Sequence, residues 1–442
     1  MNKRSERPPW WLSADRPVWA AVAAASYLSR SRRARRAALR GLIGSALSSL
    51  LLSLLGRRRP ANELPSGGAA AAASFATAAA LELRLKGLPT AGLATTWATA
   101  RVRAGVDPFV PSFTGAALGF AATAASTRVW PVAPLDPPHA PAASLRSHQE
   151  PSPDGSGLAI VVNRDSGNGA NPADELKKKL PAAEIVEVEI EQGDELRRAL
   201  DERADRAIGL GVAGGDGSVN TAAQIALDEG KPLVLVPSGT FNHLTGTLGI
   251  ETVQDSVAAV REGQAVEIDV ATIDGKAFLN TASFGGYVEF VDARQRLEHR
   301  IGKWPAVVVA LIRMLRSYDP VPVEIDGREA RVWMAFIGNC RYHPSGFAPS
   351  WRERLDDGKL DLRYVDGSAP FARTRLIFAV LTGRLGRCRA YHQSVAERVT
   401  LRSLDGPIRL ARDGETFDGS EDIVIEKLPK RLAVYVPAEE AS

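Results

Sequence analysis

Three glycine-rich segments recur in the middle of the chain, each soon after a short run of β-branched and other apolar residues. They are 163–169 (NRDSGNG), 214–220 (GGDGSVN) and 237–243 (PSGTFNH). The runs before them are predicted strands, at 158–163, 207–212 and 233–236. A third feature is helix-forming sequence near 171–180, 193–204 and after Ser218. This alternation predicts an α/β layer with a parallel sheet, whose loops all open at the carboxyl edge of the strands.

The chain has 442 residues, which is too long for one ordinary core. Residues 1–132 are rich in Ala and Leu, with apolar stretches that predict five helices, at 17–28, 39–55, 69–82, 89–99 and 113–126. Residues 133–156 are rich in Pro, Ser and Ala, a composition typical of a solvated linker. We therefore expect a helical domain at 1–132, a linker at 133–156, and an α/β domain at 157–264.

The pattern changes again after residue 264. Alternating apolar residues predict strands at 266–273, 321–325, 331–337, 359–365, 398–404, 408–411 and 423–426. The main helical exception is 300–317. We expect residues 265–442 to form a second, mostly antiparallel domain similar to a β-sandwich.

The positive charge is concentrated at the N-terminus. Residues 1–60 hold thirteen Lys and Arg against Glu6 and Asp15, whereas the whole chain carries a net charge of only +4. The basic clusters flank apolar runs, as they do where membrane helices meet anionic headgroups, so we expect a membrane partner rather than nucleic acid. Only the run from Ala38 to Leu55 approaches the length of a membrane span. A helical bundle lying on the membrane is the alternative.

Two cysteines, Cys340 and Cys388, occur without a CxxC pair or a suitably spaced histidine. This pattern predicts neither a disulfide framework nor a zinc site.

The three loops suit phosphate binding. Glycine lets backbone N–H groups approach phosphate oxygens, and a following helix adds its positive N-terminal end. Asp216 in the second loop offers a carboxylate for Mg²⁺. One such loop alone is more often a tight turn, but three at neighbouring strand ends favour a nucleotide site. Neither a Walker phosphate loop nor a GxGxxG dinucleotide fingerprint is present.

These segments, with 278–287 (FLNTASFGGY), 302–304 (GKW), 356–361 (DDGKLD) and 413–415 (DGE), resemble the diacylglycerol-kinase catalytic family. That family includes bacterial lipid kinases and the sphingosine and ceramide kinases, and the resemblance covers about 157–438. It implies an enzyme that uses ATP and Mg²⁺ to phosphorylate a lipid hydroxyl, with diacylglycerol as the default acceptor. The residues it implies for nucleotide binding are Asn163, Ser166, Gly215, Asp216, Gly217, Ser218, Asn220, Ser238, Gly239 and Thr240.

The resemblance also implies metal ligands. Asp216 and Asp269 correspond to acidic members of a magnesium and water network, although His243 stands where bacterial members usually have Asp. Asp357 corresponds to the side-chain ligand of a structural cation site in the DDGKLD turn. Asp413 is the expected general base, with Glu415 as the second candidate. Without the resemblance, Asp413-Gly414 would be interpreted simply as a β-hairpin turn.

Residues 1–132 resemble the type 2 phosphatidic-acid-phosphatase superfamily in a damaged form. The pieces are GRRRP at 56–60, PSGG at 65–68, and Ala100-Arg101 followed by Asp107. Leu52, Gly68 and Asp107 replace the lysine and the two histidines of the signature. Because glycine cannot transfer a proton and a carboxylate repels phosphate, we expect this domain to be catalytically inactive.

The sequence thus predicts a lipid kinase of lipid metabolism, held at the cell membrane by an inactive phosphatase-like domain, with the kinase facing the cytoplasm. A soluble kinase acting on a dinucleotide-type acceptor and a non-catalytic membrane scaffold are the alternatives. The intact GGDG and DGE segments favour catalysis.

Overall fold

The computed structural model describes residues 15–28, 32–56, 64–128, 130–132, 134, 137–145, 152–164, 171–189, 195–239, 242–301, 303–346, 349–382, 384–428 and 431–438. The chain divides into two compact units, Met1–Ala133 and Pro134–Ser442.

The first unit is helical, as the apolar stretches predict. Its helices are α1 (Asp15–Leu28), α2 (Arg32–Gly56), α3 (Gly67–Leu83), α4 (Leu88–Arg103) and α5 (Phe109–Ser126). Trp19 stacks on Phe75 at 5.5 Å and meets Trp97 edge-on at 5.6 Å, forming a small aromatic core. Arg40 and Glu82 are fully buried and ion-paired at 2.7 Å, so a charge inside the bundle is compensated.

Two helices of this unit are long and apolar enough to cross a membrane, at 33–54 and 109–126. Their outward surface is apolar. Exposed large hydrophobic side chains on α2 are Leu39, Leu42, Ile43, Leu47, Leu50, Leu51 and Leu54, and those on α5 are Phe109, Val110, Phe113 and Phe120.

The second unit contains a six-stranded sheet. Its strands are β1 (Leu158–Asn163), β2 (Glu184–Val188), β3 (Gly209–Gly214), β4 (Leu233–Pro237), β5 (Ala265–Ile268) and β19 (Leu432–Tyr435). Their order in the sheet is β2-β1-β3-β4-β19-β5. Strands β1 to β4 are parallel, as predicted. The central strands are buried throughout, which explains their continuous apolar runs.

Five helices connect the strands of this sheet. They are α6 (Pro172–Lys179), α7 (Glu195–Ala204), α8 (Asp216–Asp228), α9 (His243–Thr247) and α10 (Val253–Glu262). A capping box between Thr252 and Asp255 fixes the start of α10. Two apolar clusters fill the layers, one including Leu200, Val212 and Ala223 and the other including Ile160, Leu176 and Val260.

The remaining strands form one eleven-stranded antiparallel sheet and a short two-stranded ladder. They are β6 (Ala271–Ile273), β7 (Lys276–Phe278), β8 (Thr281–Gly285), β9 (Val321–Ile325), β10 (Arg328–Asn339), β11 (Tyr342–His343), β12 (Trp351–Arg352), β13 (Leu360–Asp366), β14 (Tyr391–Ala396), β15 (Arg398–Ser403), β16 (Arg409–Arg412), β17 (Glu415–Asp418) and β18 (Asp422–Lys427). Strand β10 pairs with β9 along its first half and with β8 and β13 along its second. Phe278, Val323, Ile337, Leu362 and Ile425 meet in one core.

Three helices accompany this sheet: α11 (Tyr287–Ile301), α12 (Lys303–Ser317) and α13 (Ala372–Leu381). The predicted helix at 300–317 corresponds to α12, whereas α11 and α13 were not predicted. They pack through Phe290, Leu311, Met314 and Leu376 onto Trp333 and Met334 of β10.

The domain boundaries predicted from the sequence differ from those in the structure at two places. Residues 139–143 are not a free linker, because they are hydrogen-bonded to the backbone at 353–355 and 265–267, for example from Ala143 N to Ala265 O at 2.8 Å. The C-terminal strand β19 returns to the first sheet, where it pairs with β4 and β5. Residues 265–442 are therefore not a separate domain from 157–264.

Candidate functional site

The second and third glycine-rich loops touch through their backbones at the carboxyl edge of the first sheet. A Cβ atom built on Gly239 would lie 2.4 Å from the Cα of Gly215, and one built on Gly214 would lie 2.3 Å from the Cβ of Ser218. A side chain at position 239 would force the two loops apart, and one at position 214 would clash with Ser218. Glycine is needed here because the loops that follow the neighbouring strands β3 and β4 lie in one narrow space.

Asp216 occupies the first turn of α8, directly after β3. Its Oδ1 accepts a hydrogen bond from the backbone N–H of His243 at 3.0 Å, which ties the second loop to the start of α9. His243 therefore contributes its backbone where a carboxylate was expected from the family pattern. The side chain of Asn163 approaches Ser218 Oγ at 3.5 Å, so the first strand also reaches this edge.

Asn220 lies one turn into α8 and is buried. Neither its side-chain oxygen nor its side-chain nitrogen has a hydrogen-bond partner among the described residues. Buried amides are rarely left unsatisfied, and this one is close enough to the Asp413 carboxyl group to lower its pKa. The nucleotide-binding role of Asn220 stays a prediction.

Of the other predicted nucleotide-binding residues, Gly217 lies in the first turn of α8, and Ser238 follows β4. Ser166 and Thr240 lie outside the described residues.

Asp413 and Gly414 form the two-residue turn between β16 and β17, where Arg412 pairs with Glu415. Their φ angles are 42° and 93°, and this left-handed conformation explains the Asp-Gly pair. The carboxylate of Asp413 accepts three backbone N–H bonds, from Leu279 at 2.7 Å, Asn280 at 2.9 Å and Thr281 at 2.7 Å. Asp413 is thus both the hairpin turn and an anchor that fixes the turn to 279–281.

The 279–281 segment is also held from its other side. Buried Arg352 donates to the carbonyl oxygen of Leu279 at 2.8 Å and to Asn280 Oδ1 at 3.1 Å. Asn339 Nδ2 donates to the same Leu279 oxygen at 2.9 Å. Sequence reasoning did not select Arg352 or Asn339, because neither lies in a recognisable motif. An arginine after Trp351 in a short strand gives no signal that it will be buried.

Burial raises the pKa of the Asp413 carboxyl above its usual range, and this effect outweighs the lowering effect of the three backbone N–H groups. The residue as a whole is only half-buried because it lies in a turn, but its carboxyl group is enclosed by the 279–281 backbone. The Asn220 amide is close enough to lower this pKa further, although it makes no bond of normal geometry.

Glu415 is exposed and lies against the start of α8. A Cβ atom built on Gly217 would be 2.4 Å from Glu415 Oε1. The side chain of Glu415 accepts no hydrogen bond among the described residues, so its carboxylate keeps its lone pairs. The hairpin therefore places an unoccupied carboxylate beside the GGDG loop.

Asp269 and Asp357 lie together in a second cluster, which includes Cys340. Their carboxylates are occupied. Asp357 accepts the N–H groups of Arg341 and Lys359 at 2.8 and 2.9 Å. Asp269 accepts the N–H of Gly358 at 2.7 Å and is ion-paired with Lys427 at 3.3 Å and Arg431 at 3.2 Å. No hydrogen bond joins Asp269 to Asp216 in the part of the chain that the structure describes.

The basic groups at Asp269 disfavour a divalent cation in this cluster, and the role of Asp357 as a metal ligand stays a prediction. The ammonium of Lys427 is 3.3 Å from Cys340 Sγ and also donates to Asn339 Oδ1, so the cluster already contains a cation. Burial raises the pKa of the Cys340 thiol to about 11, which keeps it neutral and a poor metal ligand. Asp216 fits Mg²⁺ better, because one of its oxygens carries no bond among the described residues.

In the first unit, the structure brings together three residues of the segments that resemble the phosphatase signature. Arg101 forms a two-point ion pair with Asp107, at 2.7 Å from Nε and 3.1 Å from Nη2. Ser66 Oγ donates to the same carboxylate at 3.0 Å. The carboxylate of Asp107 therefore takes the hydrogen bonds that an anion could receive there. Arg59 lies outside the described residues.

Comparison with known proteins covers the second unit. Residues 157–273 match the family model described as the diacylglycerol kinase catalytic domain. A Pseudomonas aeruginosa protein described as a probable lipid kinase YegS-like is 26% identical over 296 residues, which cover 64% of this chain and 94% of the relative.

Two further proteins are similar to the same part of the chain. An uncharacterized Synechocystis protein, sll0036, is 24% identical over 56% of this chain, and the match spans 60% of that protein's length. A crystal structure of a diacylglycerol kinase from Bacillus anthracis has 20% identity and a TM-score of 0.45, with 63% of this chain and 96% of the other covered.

The second unit is an α/β domain with glycine-rich loops at one sheet edge, completed by an antiparallel sheet, and the comparisons relate it to proteins described as kinases. More particularly, residues 157–273 are similar to the diacylglycerol kinase catalytic domain, and the second unit is similar to proteins described as probable lipid kinases.

Proposed function

We propose that this protein is an ATP-dependent lipid kinase that phosphorylates a lipid hydroxyl, with diacylglycerol as the default acceptor. The observation that carries the proposal is the contact between Glu415 and Gly217. It sets a carboxylate with free lone pairs beside a glycine-rich helix start, which is the pairing that phosphoryl transfer to a hydroxyl requires.

The nucleotide would be held by the backbone N–H groups of the loops at Gly215, Gly217 and Gly239, together with Ser218 and the unsatisfied amide of Asn220. The positive end of α8 favours the phosphate charge. Asp216 would hold Mg²⁺, which supplies charge neutralisation when it is bound. The Asp269 and Asp357 cluster plays no part in this step.

Glu415 is the better general base of the two sequence candidates. An ionised carboxylate has about four lone-pair sites, and three of those on Asp413 are taken by backbone N–H groups. Glu415 has none taken among the described residues and is exposed to an incoming hydroxyl. We assign proton acceptance to Glu415 and the positioning of the hairpin to Asp413.

In the proposed reaction, the lipid hydroxyl loses its proton to a carboxylate oxygen of Glu415. The hydroxyl oxygen forms a bond to the γ-phosphorus of ATP, and the bond from that phosphorus to the bridging oxygen breaks. The products are the phosphorylated lipid and ADP. Asp413 and the clamp at 279–281 keep Glu415 within reach.

The first unit would anchor the enzyme in the membrane. The support is the apolar outer surface of α2 and α5 and the basic residues that flank α2. With the basic residues at the start of α2 on the cytoplasmic side, and α5 as a second span, the kinase would face the cytoplasm. The Ser66, Arg101 and Asp107 arrangement supports an inactive phosphatase origin, since the anion position is filled by a carboxylate.

The test is to offer the purified protein labelled ATP, Mg²⁺ and a panel of lipids with free hydroxyl groups, and to identify products by mass. Phosphatidic acid formed from diacylglycerol, and lost in Glu415→Gln, supports the proposal. Phosphorylation of a soluble dinucleotide alone would replace the lipid with that acceptor. Nucleotide binding without transfer to any acceptor would leave a non-catalytic scaffold.

A further inference from the structure

Helix α13 presents large apolar side chains to solvent. Phe371, immediately before the helix, is 80% exposed, and Phe378 and Leu381 are 64% and 63% exposed. These residues follow each other at intervals of seven and three, so they share one face of the helix. Single exposed hydrophobic residues are ordinary, but three on one face of a ten-residue helix form a patch.

The exposed apolar face of α13 is distinct from the face that packs in the core. The opposite face of α13 is buried through Ala372, Leu376 and Val380, which pack in the cluster that contains Trp333. The helix is therefore fixed by its own apolar side. Packing of the core therefore does not explain why the outer face of α13 is apolar.

The same segment is strongly basic. Five arginines, all exposed, lie in and just after α13, and no Asp or Glu occurs between Asp366 and Glu397. They are Arg373, Arg375, Arg384, Arg387 and Arg389. None of them forms an ion pair with a carboxylate among the residues that the structure describes. The guanidinium carbon of Arg373 is 5.4 Å from the centroid of the Trp333 ring, so this charged group lies along the protein surface.

We propose that this surface, the α13 patch, docks the kinase unit onto an anionic lipid bilayer. The patch comprises Phe371, Phe378, Leu381 and the five arginines. Aromatic and Leu side chains enter the boundary between headgroups and acyl chains, while arginines pair with lipid phosphates. The unbroken run of uncompensated positive charge around an apolar face favours this occupant over a second copy of the chain, whose patch would carry the same charge.

The α13 patch lies outside the glycine-rich loops, and the experiment measures docking to vesicles and not phosphoryl transfer. A failure of the proposed kinase activity would therefore leave it untouched. It also differs from anchoring by the first unit, because it concerns where the second unit rests.

The experiment uses the full-length protein reconstituted into vesicles, with an environment-sensitive fluorophore on the patch. Thr374 is exposed and lies three residues after Phe371 and four before Phe378, so Thr374→Cys reports from the same face. Cys388→Ser removes the accessible native thiol, while Cys340 is buried. The control label is Glu229→Cys, at the exposed end of α8 opposite the glycine-rich loops.

The fluorophore at position 374 is expected to shift to the blue in vesicles of phosphatidylcholine with phosphatidylglycerol, and to shift back in high salt. It should not shift in pure phosphatidylcholine, and the label at position 229 should not shift in either. Arg375→Gln with Arg384→Gln should weaken docking about fivefold per arginine, whereas the matched pair Arg197→Gln and Arg198→Gln on α7 should not.

Replacement of Phe371, Phe378 and Leu381 by Ser should abolish the shift while the protein stays in the vesicles. An unshifted label in anionic vesicles would overturn the proposal. A shift that depends on the protein-to-lipid ratio but not on lipid charge would assign the patch to a second copy. A shift in both lipid compositions, insensitive to salt, would mean that the chain itself covers the patch.

Discussion

Glu415 Oε1 lies so close to the α-carbon of Gly217 that a methyl group on that carbon would be 2.4 Å from the oxygen. The two residues are far apart in the sequence, one in the hairpin of the antiparallel sheet and the other at the start of α8. This contact couples the two halves of the kinase unit at the point where chemistry is proposed. A side chain at position 217 would therefore displace the exposed Glu415 carboxylate from the start of α8.

Gly217→Ala is expected to lower kcat/KM by up to about a hundredfold, because the new methyl group displaces the Glu415 carboxylate by a fraction of an ångström or more. Stability should not fall, since Ala is a better helix former than Gly by about 1 kcal/mol. Lipid phosphorylation and Tm are measured together. Gly92→Ala in α4, where a methyl group meets no neighbour, is the control. Unchanged turnover in Gly217→Ala would show that Glu415 does not act from this position.

Glu415→Gln is expected to reduce kcat by about a hundredfold to ten-thousandfold with little change in Tm, since the side chain is exposed and loses only its ability to accept a proton. The measurement is single-turnover phosphorylation at saturating ATP. If the variant keeps wild-type kcat, the proton must go to another group.

Asp413→Asn is expected to destabilise the protein by about 1–3 kcal/mol, because an amide N–H₂ would face a backbone N–H that now donates to the carboxylate. The pH dependence should also change. Since burial raises the Asp413 pKa, the folded protein binds this proton at a higher pH than the unfolded chain does. This component of stability is therefore present at low pH and is lost as the pH rises through that interval.

Urea unfolding between weakly acidic and neutral pH checks this prediction. The decrease in stability that Asp413 contributes should be absent from Asp413→Asn. The same pH dependence in both proteins would mean that the carboxyl group is not perturbed as described.

Lys427→Met should cost about 1.5–3 kcal/mol, because it removes one charged hydrogen-bond partner of the buried Asp269 carboxylate and leaves Arg431 as the other. Lys359→Met, which removes an exposed pair with Glu397, should cost less than about 1 kcal/mol. Calorimetry of the nucleotide-free proteins gives both values. EDTA and Mg²⁺ should leave the wild-type Tm unchanged. A rise in Tm with Mg²⁺ that requires Asp357 would restore the cation site predicted from the sequence.

The sequence predicted the elements whose signal is local. Strands β1, β3 and β4 are continuous apolar runs, and the glycines after β3 and β4 mark loops that share one edge, so the α/β layer and the loop edge followed from pattern and spacing. The five N-terminal helices followed in the same way. The roles of the site residues that the resemblance implies remain predictions.

What the sequence did not predict depends on contacts between distant residues. Strand β19 completes the first sheet after more than 150 residues of intervening chain, and residues 139–143 pair with that sheet although their Pro-rich composition is typical of a linker. Lys427 meets Asp269 across 158 positions. The spacing of apolar residues along the sequence carries no information about such pairings. Asp413 shows a further limit, because the sequence offered a general base or a hairpin turn, and neither alternative included the three backbone N–H groups that its carboxylate accepts.

The first unit is expected to release no phosphate from phosphatidic acid, and Gly68→His with Asp107→His is not expected to rescue it. The Asp107 carboxylate takes the hydrogen bonds of Ser66 and Arg101 that would otherwise bind an anion. Replacing Asp107 opens that position but leaves buried Arg101 without this ion-pair partner, so the double variant should unfold at a lower temperature. Leu52, where the signature has lysine, still offers no charge, and catalysis needs placement within about 0.5 Å. Phosphate release is measured with the full-length proteins in detergent, without ATP, beside an active membrane phosphatase. Lipid-dependent release by the wild type would contradict the assignment of an inactive domain.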